Sequence, residues 1–303
     1  MKSENLAWLI LFLTATFTRA QDLAPRAYVI SPTGSNALTL SHSWNEGDIT
    51  FDPSVPIEDA KGNFQTSVLS YYHSYKLLGR SSNVVFSAPY ASGTFSGIVN
   101  GVEAKVNPSG LADARVRFAV NLRGGPAMGV GEFLKWHEKR LIGFSFTAVI
   151  PLGQNDRARL VNIGTNRWAF KPEIGFTRKW QRVVVEGYTG MWLFTSNSNF
   201  YPGDSKRSQE PIVAFEAHAG YYIKPRLWAS FDGNFWMGGR SSINGVKKQD
   251  RHRDSRVGIT VSVPLGGRHS LKCSYSRGAE TRVGGSFQTL SAAWQYSWIG
   301  KSF

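Results

Sequence analysis

The chain has 303 residues, 42% hydrophobic, 13% aromatic and 18% charged, with a formal net charge of +14. One cysteine excludes a fold held by disulfides within the chain. The basic residues are spread over predicted turns and alternate strand positions, without a recognisable binding motif, which argues against a nucleic-acid-binding protein.

The N-terminus has the pattern of a secretory signal. Met1, Lys2 and Ser3 precede an apolar segment, 6–17, and Thr18-Arg19-Ala20 follows before Gln21. We predict a cleaved signal peptide over residues 1–20 and a single barrel domain over 21–303. A membrane anchor is the rival interpretation, but about a dozen apolar residues is short for a spanning helix. No run of about 18 apolar residues follows, which argues against a helical membrane protein.

Beyond the signal, short stretches with apolar residues at every second position recur between turn-forming residues. Alternation of this kind predicts strands. The predicted strands are 36–50, 64–77, 82–99, 111–123, 140–152, 167–179, 182–196, 211–223, 226–239, 255–264, 269–281 and 286–298. In the last of them, one face carries Leu290, Ala292, Trp294, Tyr296 and Trp298. For an exported chain, we predict an all-β fold: an antiparallel transmembrane β-barrel of about 12 strands in the outer membrane of a Gram-negative bacterium.

The connections agree with this topology, because outer-membrane barrels have short periplasmic turns and longer outer loops. The turns near 179–181, 224–225 and 264–268 are short, whereas the segments 51–63, 153–166, 197–210 and 240–254 are longer and fall outside. The connection 124–139 is long although it should be periplasmic. Its run 132–138 predicts a short amphipathic helix at the barrel base. Whether it plugs the lumen stays open.

Alternation places a set of charged side chains on the inward faces of the strands. A charge facing lipid costs about 2–4 kcal/mol at mid-membrane, so inward positions are favoured. The lumen-lining candidates are Arg115, Arg117, Arg123, Lys171, Glu173, Glu186, Glu216, His218, Asp232 and Lys272. Tyr188 and Trp192 offer apolar surface inside the barrel. These charges either border a solute path or form a salt-bridged network that plugs the barrel.

Further basic residues fall in predicted outer loops, where they could bind lipopolysaccharide phosphates. They are Lys206, Arg207, Lys247, Lys248, Arg251, Arg253 and Arg256. Solvated loop charge is the equally weighted alternative.

Sequence signals for catalysis are weak. His218 lies two residues from Glu216, but no second histidine stands at a metal-ligand spacing, so a hydrogen bond in the lumen is favoured. The glycine-rich run 124–131 lacks the Lys-Ser/Thr ending of a phosphate loop. Cys273 alternates with Leu271 and Tyr275 and is predicted to face outward as a structural residue. We predict no enzyme, no cofactor and no metal. An outer-membrane lipid hydrolase stays a minor alternative.

Several segments together resemble a known family. They are Gly110–Leu122, Pro151-Leu152-Gly153-Gln154, Val161–Glu173, Gly238-Gly239-Arg240 and Ala293-Trp294-Gln295-Tyr296, with Asn162–Trp168 the most specific. The chain is similar over nearly all of its predicted mature length to the transporter family labelled as the putative meta-pathway of phenol degradation protein. The resemblance implies an outer-membrane barrel that passes small hydrophobic or aromatic compounds. The chain departs from the usual ending, because Ile299-Gly300-Lys301-Ser302-Phe303 follows Trp298.

We therefore expect an outer-membrane channel that passes small, apolar or aromatic solutes by diffusion. The alternative is a non-transporting structural or surface-interaction barrel with a plugged lumen and lipopolysaccharide-binding loops. The expected partners are outer-membrane lipid and lipopolysaccharide, the barrel-assembly machinery during biogenesis, which would recognise Trp298 or Phe303, and a small hydrophobic or aromatic solute.

Overall fold

The computed structural model describes residues 23–51, 57–159, 161–201 and 203–300. The predicted signal peptide lies outside these residues. Up to the middle of the chain, the elements are β1 (Ser35–Thr50), β2 (Ile57–Leu77), β3 (Arg80–Val99), β4 (Val102–Val106), β5 (Ser109–Leu111), β6 (Ala114–Arg123), α1 (Val130–Lys135), β7 (Arg140–Ile150) and β8 (Ala169–Trp180). The second half contains β9 (Val183–Phe194), β10 (Asn197–Phe200), β11 (Ser205–Gln209), β12 (Ile212–Lys224), β13 (Leu227–Gly238), β14 (Ser241–Ile243), β15 (Val246–Lys247), β16 (His252–Pro264), β17 (His269–Glu280) and β18 (Gly284–Ile299).

Twelve of these strands close an antiparallel barrel, which confirms the predicted fold class. The order around the wall is β1, β2, β3, β6, β7, β8, β9, β12, β13, β16, β17 and β18, and β18 pairs with β1. Closure pairs the backbone groups of every wall strand with neighbours on both sides, as lipid requires. No helix among the described residues is long and apolar enough to cross a membrane.

Each predicted strand corresponds to one wall strand, although several ends differ. The predicted strand 111–123 is wrong at its start, because β6 begins at Ala114 and 109–111 form the separate strand β5. Pro89 lies where the partner of β3 changes from β6 to β5, so its missing N–H leaves no ladder bond unmade. The predicted outer loop 51–63 is also too long, because β2 begins at Ile57.

Alternation sorts the side chains as predicted. The outward positions carry exposed apolar residues, among them Leu40, Leu69, Phe86, Phe118, Ile174, Phe231, Ile259 and Leu290. Rings of His269, Trp294, Tyr296 and Trp298 stack near the ends of β17 and β18. An apolar band edged by aromatic rings is the outer surface of an outer-membrane barrel. Cys273 is exposed on this face, as predicted.

The segment 124–139 contains the predicted helix, now placed at Val130–Lys135, with no buried residue. Phe133 and Trp136 pack against a small cluster formed by Ile30, Met128 and Leu141. The segment therefore braces the base of the barrel, at the end where the short turns lie.

Residues 23–34 lie against the inner wall, which the sequence did not indicate. At one end of the segment, Leu23 lies next to Gly258 on β16. At the other end, Ser31 is hydrogen-bonded to the hydroxyl of Tyr72 on β2 at 2.5 Å. Between these points, Arg26 binds Glu186 on β9, and Tyr28 bonds to Ser145 on β7. The segment thus crosses the periplasmic part of the lumen before β1 begins.

A pair of glycines seats this segment. Gly143 on β7 and Gly175 on β8 are direct cross-strand partners, and both face inward under the Tyr28 ring. A Cβ on either glycine would lie 2.1 Å from a ring carbon of Tyr28. Tyr28 donates to Glu173 Oε1 at 2.9 Å and is 1% exposed. Burial, reinforced by Glu173, raises the pKa of its hydroxyl, so it stays protonated as the donor.

We expect the double variant G143A/G175A to release residues 23–34 from the wall. Two added methyl groups overpack the Tyr28 seat, at a cost of about 1–3 kcal/mol each. The measurement is the rate of trypsin cleavage after the buried Arg26, relative to cleavage after the exposed Lys135. It should rise in G143A/G175A. G187A is the matched control, because a Cβ there meets no atom closer than 4.0 Å. An unchanged cleavage ratio would contradict the proposed seat.

Candidate functional site in the lumen

Five of the predicted inward charges are joined in one chain of contacts across β8, β12 and β13. Lys171 Nζ lies 2.5 Å from Glu173 Oε2 and 3.1 Å from Glu216 Oε1. His218 lies between two carboxylates, with Nε2 3.6 Å from Glu216 Oε2 and Nδ1 2.8 Å from Asp232 Oδ1. All five residues are buried. The sequence predicted their inward face, and the structure adds their pairing.

Both ends of this ion chain are tied to neighbouring groups. At one end, Arg117 Nη2 on β6 lies 4.0 Å from Glu173 Oε1, and its guanidinium covers the Tyr28 ring. At the other, Asp232 accepts hydrogen bonds from Ser230 and Thr260. Buried charges are tolerated where each has a partner of opposite charge. Glu216 Oε2 and His218 Nε2, 3.6 Å apart, are the buried atoms of this chain that make no hydrogen bond among the described residues. The chain therefore braces one side of the lumen.

Glycine makes room for the central link. Gly190 on β9 lies between β8 and β12, and a Cβ there would stand 2.8 Å from Lys171 Cε. The lysine stem therefore lies flat over β9 and reaches the carboxylate on β12. Its amine is 5.7 Å from the centre of the Trp192 ring.

Glu186 serves the N-terminal segment instead. It accepts from the Arg26 backbone N–H at 2.7 Å and from Thr177 at 3.1 Å, and it pairs with the Arg26 guanidinium. Arg26 also contacts Glu138 at 2.6 Å. Burial lowers the Arg26 pKa, but Glu138 and Glu186 outweigh it and raise the pKa overall. The hydroxyl of Tyr188 also binds this segment, because it accepts a hydrogen bond from the Ala27 backbone N–H.

The remaining candidates are not members of the five-residue ion chain. Arg115 is half-buried on β6. Arg123 follows a register shift at the end of β6 and pairs with outward-facing Ile142, so its predicted lumen-lining position is wrong. Lys272 shares the face of β17 that carries Ser274, whose hydroxyl bonds to Ser291 on β18. Lys272 is exposed to the lumen there and interacts electrostatically with Asp232 at the end of the ion chain.

The opposite side of the lumen, formed by β1, β2, β3, β17 and β18, has mainly small inward side chains, with Lys272 on β17 as a charged exception. We call it the hydroxyl wall; it comprises Thr39, Ser41, Ser43, Thr66, Val68, Ser70, Ser87, Pro89, Ser274, Ser276, Ser291 and Ala293. These residues are half-buried, in contrast to the buried ion chain. Because they point inward, the space that exposes them is the lumen itself. Sequence reasoning missed this wall, since serine and threonine on one strand face carry no distinctive signal.

Many hydroxyls of this wall bond within it. Ser70 bonds to Ser87 at 2.9 Å, and Ser274 to Ser291 at 2.6 Å. Ser43 donates to a backbone carbonyl of the neighbouring strand. Such internal pairing leaves the wall smooth and weakly hydrogen-bonding toward the lumen.

Aromatic clusters lie inside the outer half of the barrel. Trp192 and Trp236 pack with Val149 and Ile212 on the side of the ion chain, and their indole N–H groups are buried without an acceptor among the described residues. Phe64, Phe95 and Phe287 pack together on the side of the hydroxyl wall, with Phe64 and Phe287 edge to face at 5.0 Å.

The described parts of the outer connection, 151–159 and 161–168, are held by segments that carry the sequence resemblance. Asp113 accepts from Gly153 N–H at 3.0 Å and from Thr165 N–H at 3.1 Å. Gln154 N–H donates to Leu111 O. Val161 from this connection packs against the phenylalanine cluster. Asp113 was not among the predicted residues.

The basic outer residues separate into exposed and buried groups. Lys206, Arg251 and Arg253 are exposed, Lys248 is half-buried, and exposed Lys247 lies 3.8 Å from Glu210. Arg207 is buried over the Phe200 ring, and burial lowers its pKa to about 10. Arg256 faces inward and donates to Ser276 and Thr289. The expectation of an outward position is therefore wrong for Arg207 and Arg256.

Among the described residues, no group of three or more His, Cys, Asp or Glu side chains is arranged to hold a metal ion.

Comparison with solved structures places the fold among outer-membrane barrels. The COG4313 outer membrane channel from Pseudomonas putida F1 aligns with a TM-score of 0.77 and 17% identity, over 91% of this chain and 100% of that one. The transport unit of the autotransporter AIDA-I from Escherichia coli aligns with a TM-score of 0.52 and 9% identity, over 99% of both chains. No curated protein matches the sequence.

The family comparison covers most of the chain. The model described as "Putative MetA-pathway of phenol degradation" matches residues 45–296, which include all the predicted lumen residues. The chain is thus an outer-membrane β-barrel of a Gram-negative bacterium, and it belongs to the family described as "Putative MetA-pathway of phenol degradation".

Proposed function

We propose that the barrel is a channel that passes small, apolar or aromatic solutes across the outer membrane by diffusion, without a cofactor. The observation that carries this proposal is the asymmetry of the lumen. Most of the inward charged side chains are paired on one side, and the hydroxyl wall on the other, which includes Lys272 on β17, is accessible from within. The Pseudomonas putida neighbour is named as an outer membrane channel, which supports transport rather than catalysis as the function.

The chemistry of the lumen favours weakly hydrated solutes. A sugar must exchange its water for protein hydrogen bonds, but the hydroxyl wall already uses many of its donors internally. An aromatic solute needs fewer such bonds and finds the phenylalanine and tryptophan clusters near the outer mouth. The free indole N–H groups of Trp192 and Trp236 suit a solute, or a water, with an acceptor oxygen.

A second candidate is the non-transporting barrel, which the position of residues 23–34 favours. This segment crosses the periplasmic part of the lumen and is fixed by Tyr28 and Arg26. The exposed basic residues Lys206, Lys247, Arg251 and Arg253 would then act as the binding surface for lipopolysaccharide. The two functions differ in solute flux, which can be measured directly.

The channel proposal is tested with adjacent alanines on β18. Ala293 belongs to the hydroxyl wall, and Ala292 faces outward. A293W places an indole in the path and should slow uptake of a labelled aromatic acid into proteoliposomes by at least about fivefold. A292W adds the same group on the lipid side and should leave uptake unchanged. Wild-type protein should admit the aromatic acid faster than a sugar of similar size. Wild-type uptake equal to that of protein-free vesicles would favour the second candidate.

Substitution of Arg117 tests whether the charges at one end of the ion chain influence ion selectivity. It lies beside Glu173 at one end of that chain, and its side chain is 21% accessible. Replacing it in R117Q, alone or with R115Q, should shift ion selectivity toward cations, because Glu173 keeps its negative charge. The reversal potential across a planar bilayer in a KCl gradient measures this shift. R123Q removes a charge outside the lumen and should leave the potential unchanged. If R117Q alters neither selectivity nor conductance, Arg117 does not border the path.

Neutralising Lys247, Lys248, Arg251 and Arg253 to Gln tests the outer surface. If these residues bind lipopolysaccharide phosphates, binding of the folded protein to immobilised lipopolysaccharide should fall by about tenfold or more and become less salt-sensitive. Solute uptake should not change. Undiminished binding would assign these residues to solvated loop charge.

A further inference from the structure

Two arginines are paired on the lipid-facing surface of the barrel, near its periplasmic end. Arg140 on β7 and Arg178 on β8 are direct cross-strand partners. Both lie on the outward face, since Leu141 and Thr177 beside them are buried and point inward. Like charges directly opposite each other destabilise a sheet. Among residues 23–51, 57–159, 161–201 and 203–300, neither guanidinium has a carboxylate within ion-pair distance. Arg178 lies over the Trp180 ring, 4.9 Å from its centre.

The depth of this pair is set by its neighbours. The next outward pairs toward the membrane centre are Ile142 with Phe176 and Phe144 with Ile174, and the last three side chains are exposed apolar groups. Trp180, 50% exposed, lies on the other side of the pair, at the end of β8. Aromatic girdles mark the two membrane–water interfaces of such barrels. The arginine pair therefore lies where the lipid headgroups of the inner leaflet begin.

A pocket extends from the pair over the rim toward the N-terminal segment, and Lys179 lies over the Tyr222 ring on its inner side. The pocket at this lip has a volume of about 650 Å³ and is lined by both arginines, Lys139 and Lys179, together with aromatic residues of which Phe133 and Trp136 come from the brace 124–139. The carboxylate that lines it, Glu138, is already bound by Arg26. The lip thus has positive charge in excess beside apolar surface.

We propose that this lip pocket binds the phosphate headgroup of an anionic phospholipid from the inner leaflet of the outer membrane. Guanidinium pairs bind phosphate oxygens in a bidentate fashion, and a shared anion removes the repulsion between Arg140 and Arg178. The acyl chains would lie along the outward faces of β7 and β8, over Phe144 and Phe176. Basic pockets beside membrane-spanning segments bind anionic headgroups in the same way. This site lies at the periplasmic rim, where its inner side borders Arg26 and Tyr222, and it is separate from the ion chain and from the outer basic loops.

The test uses the full folded protein in nonionic detergent with defined phospholipid added, analysed by native mass spectrometry. Wild type should retain one phosphatidylglycerol with at least about tenfold preference over phosphatidylcholine. R140Q/R178Q should lose that preference, and each single variant should lose part of it. R182Q/R268Q removes the same charge from the same rim, outside the pocket, and should retain the preference. Heat-dependent gel migration establishes that each variant is folded.

Three outcomes would overturn the proposal. Undiminished preference in R140Q/R178Q and in both single variants would show that the lipid binds elsewhere. Equal loss in R182Q/R268Q would assign the effect to general rim charge. Displacement of phosphatidylglycerol by millimolar inorganic phosphate or benzoate would show that the pocket takes a free anion rather than a lipid.

Discussion

The structure depends on one constraint, which is that a charge pointing into a narrow barrel must find its partner inside that barrel. Closure of twelve strands leaves side chains only two directions, toward lipid or toward the lumen. Lipid excludes charge, so Lys171, Glu173 and Glu216 turn inward, where each contacts an opposite charge. The ion chain occupies one side of the lumen and leaves the hydroxyl wall facing it.

Glycine determines where large groups can lie in this lumen. Gly190 lets the Lys171 stem cross a strand, and the Gly143–Gly175 pair forms the seat of Tyr28. Through Tyr28 and Arg26, the N-terminal segment becomes part of the inner wall and shares carboxylates with it. The ion chain and the segment therefore stabilise each other. The path for a solute is what these two features leave unoccupied.

The sequence predicted the wall strands well, because alternation between lipid and lumen is enforced along each of them. It also predicted the inward direction of Glu216 and His218, but not their pairing, since a contact such as Lys171–Glu216 depends on registry across β9. Asp113 and the small outer strands were missed because loop contacts have no periodicity. Arg123 and Arg207 were misplaced by a register shift and by burial against a ring, respectively. The position of the N-terminal segment could not be predicted, because the sequence does not show that Gly143 and Gly175 are cross-strand partners that together seat Tyr28.

The most direct measurement of the central claim, that solutes pass along the hydroxyl wall, is thiol modification at Ser291. In S291C with the native thiol removed by C273S, a water-soluble thiol reagent should modify the folded barrel, because Ser291 is half-buried and faces the lumen. Attaching a bulky group there should block uptake of the aromatic acid. An unreactive thiol in the folded protein, or complete modification with unchanged uptake, would contradict the assignment of this wall as the path.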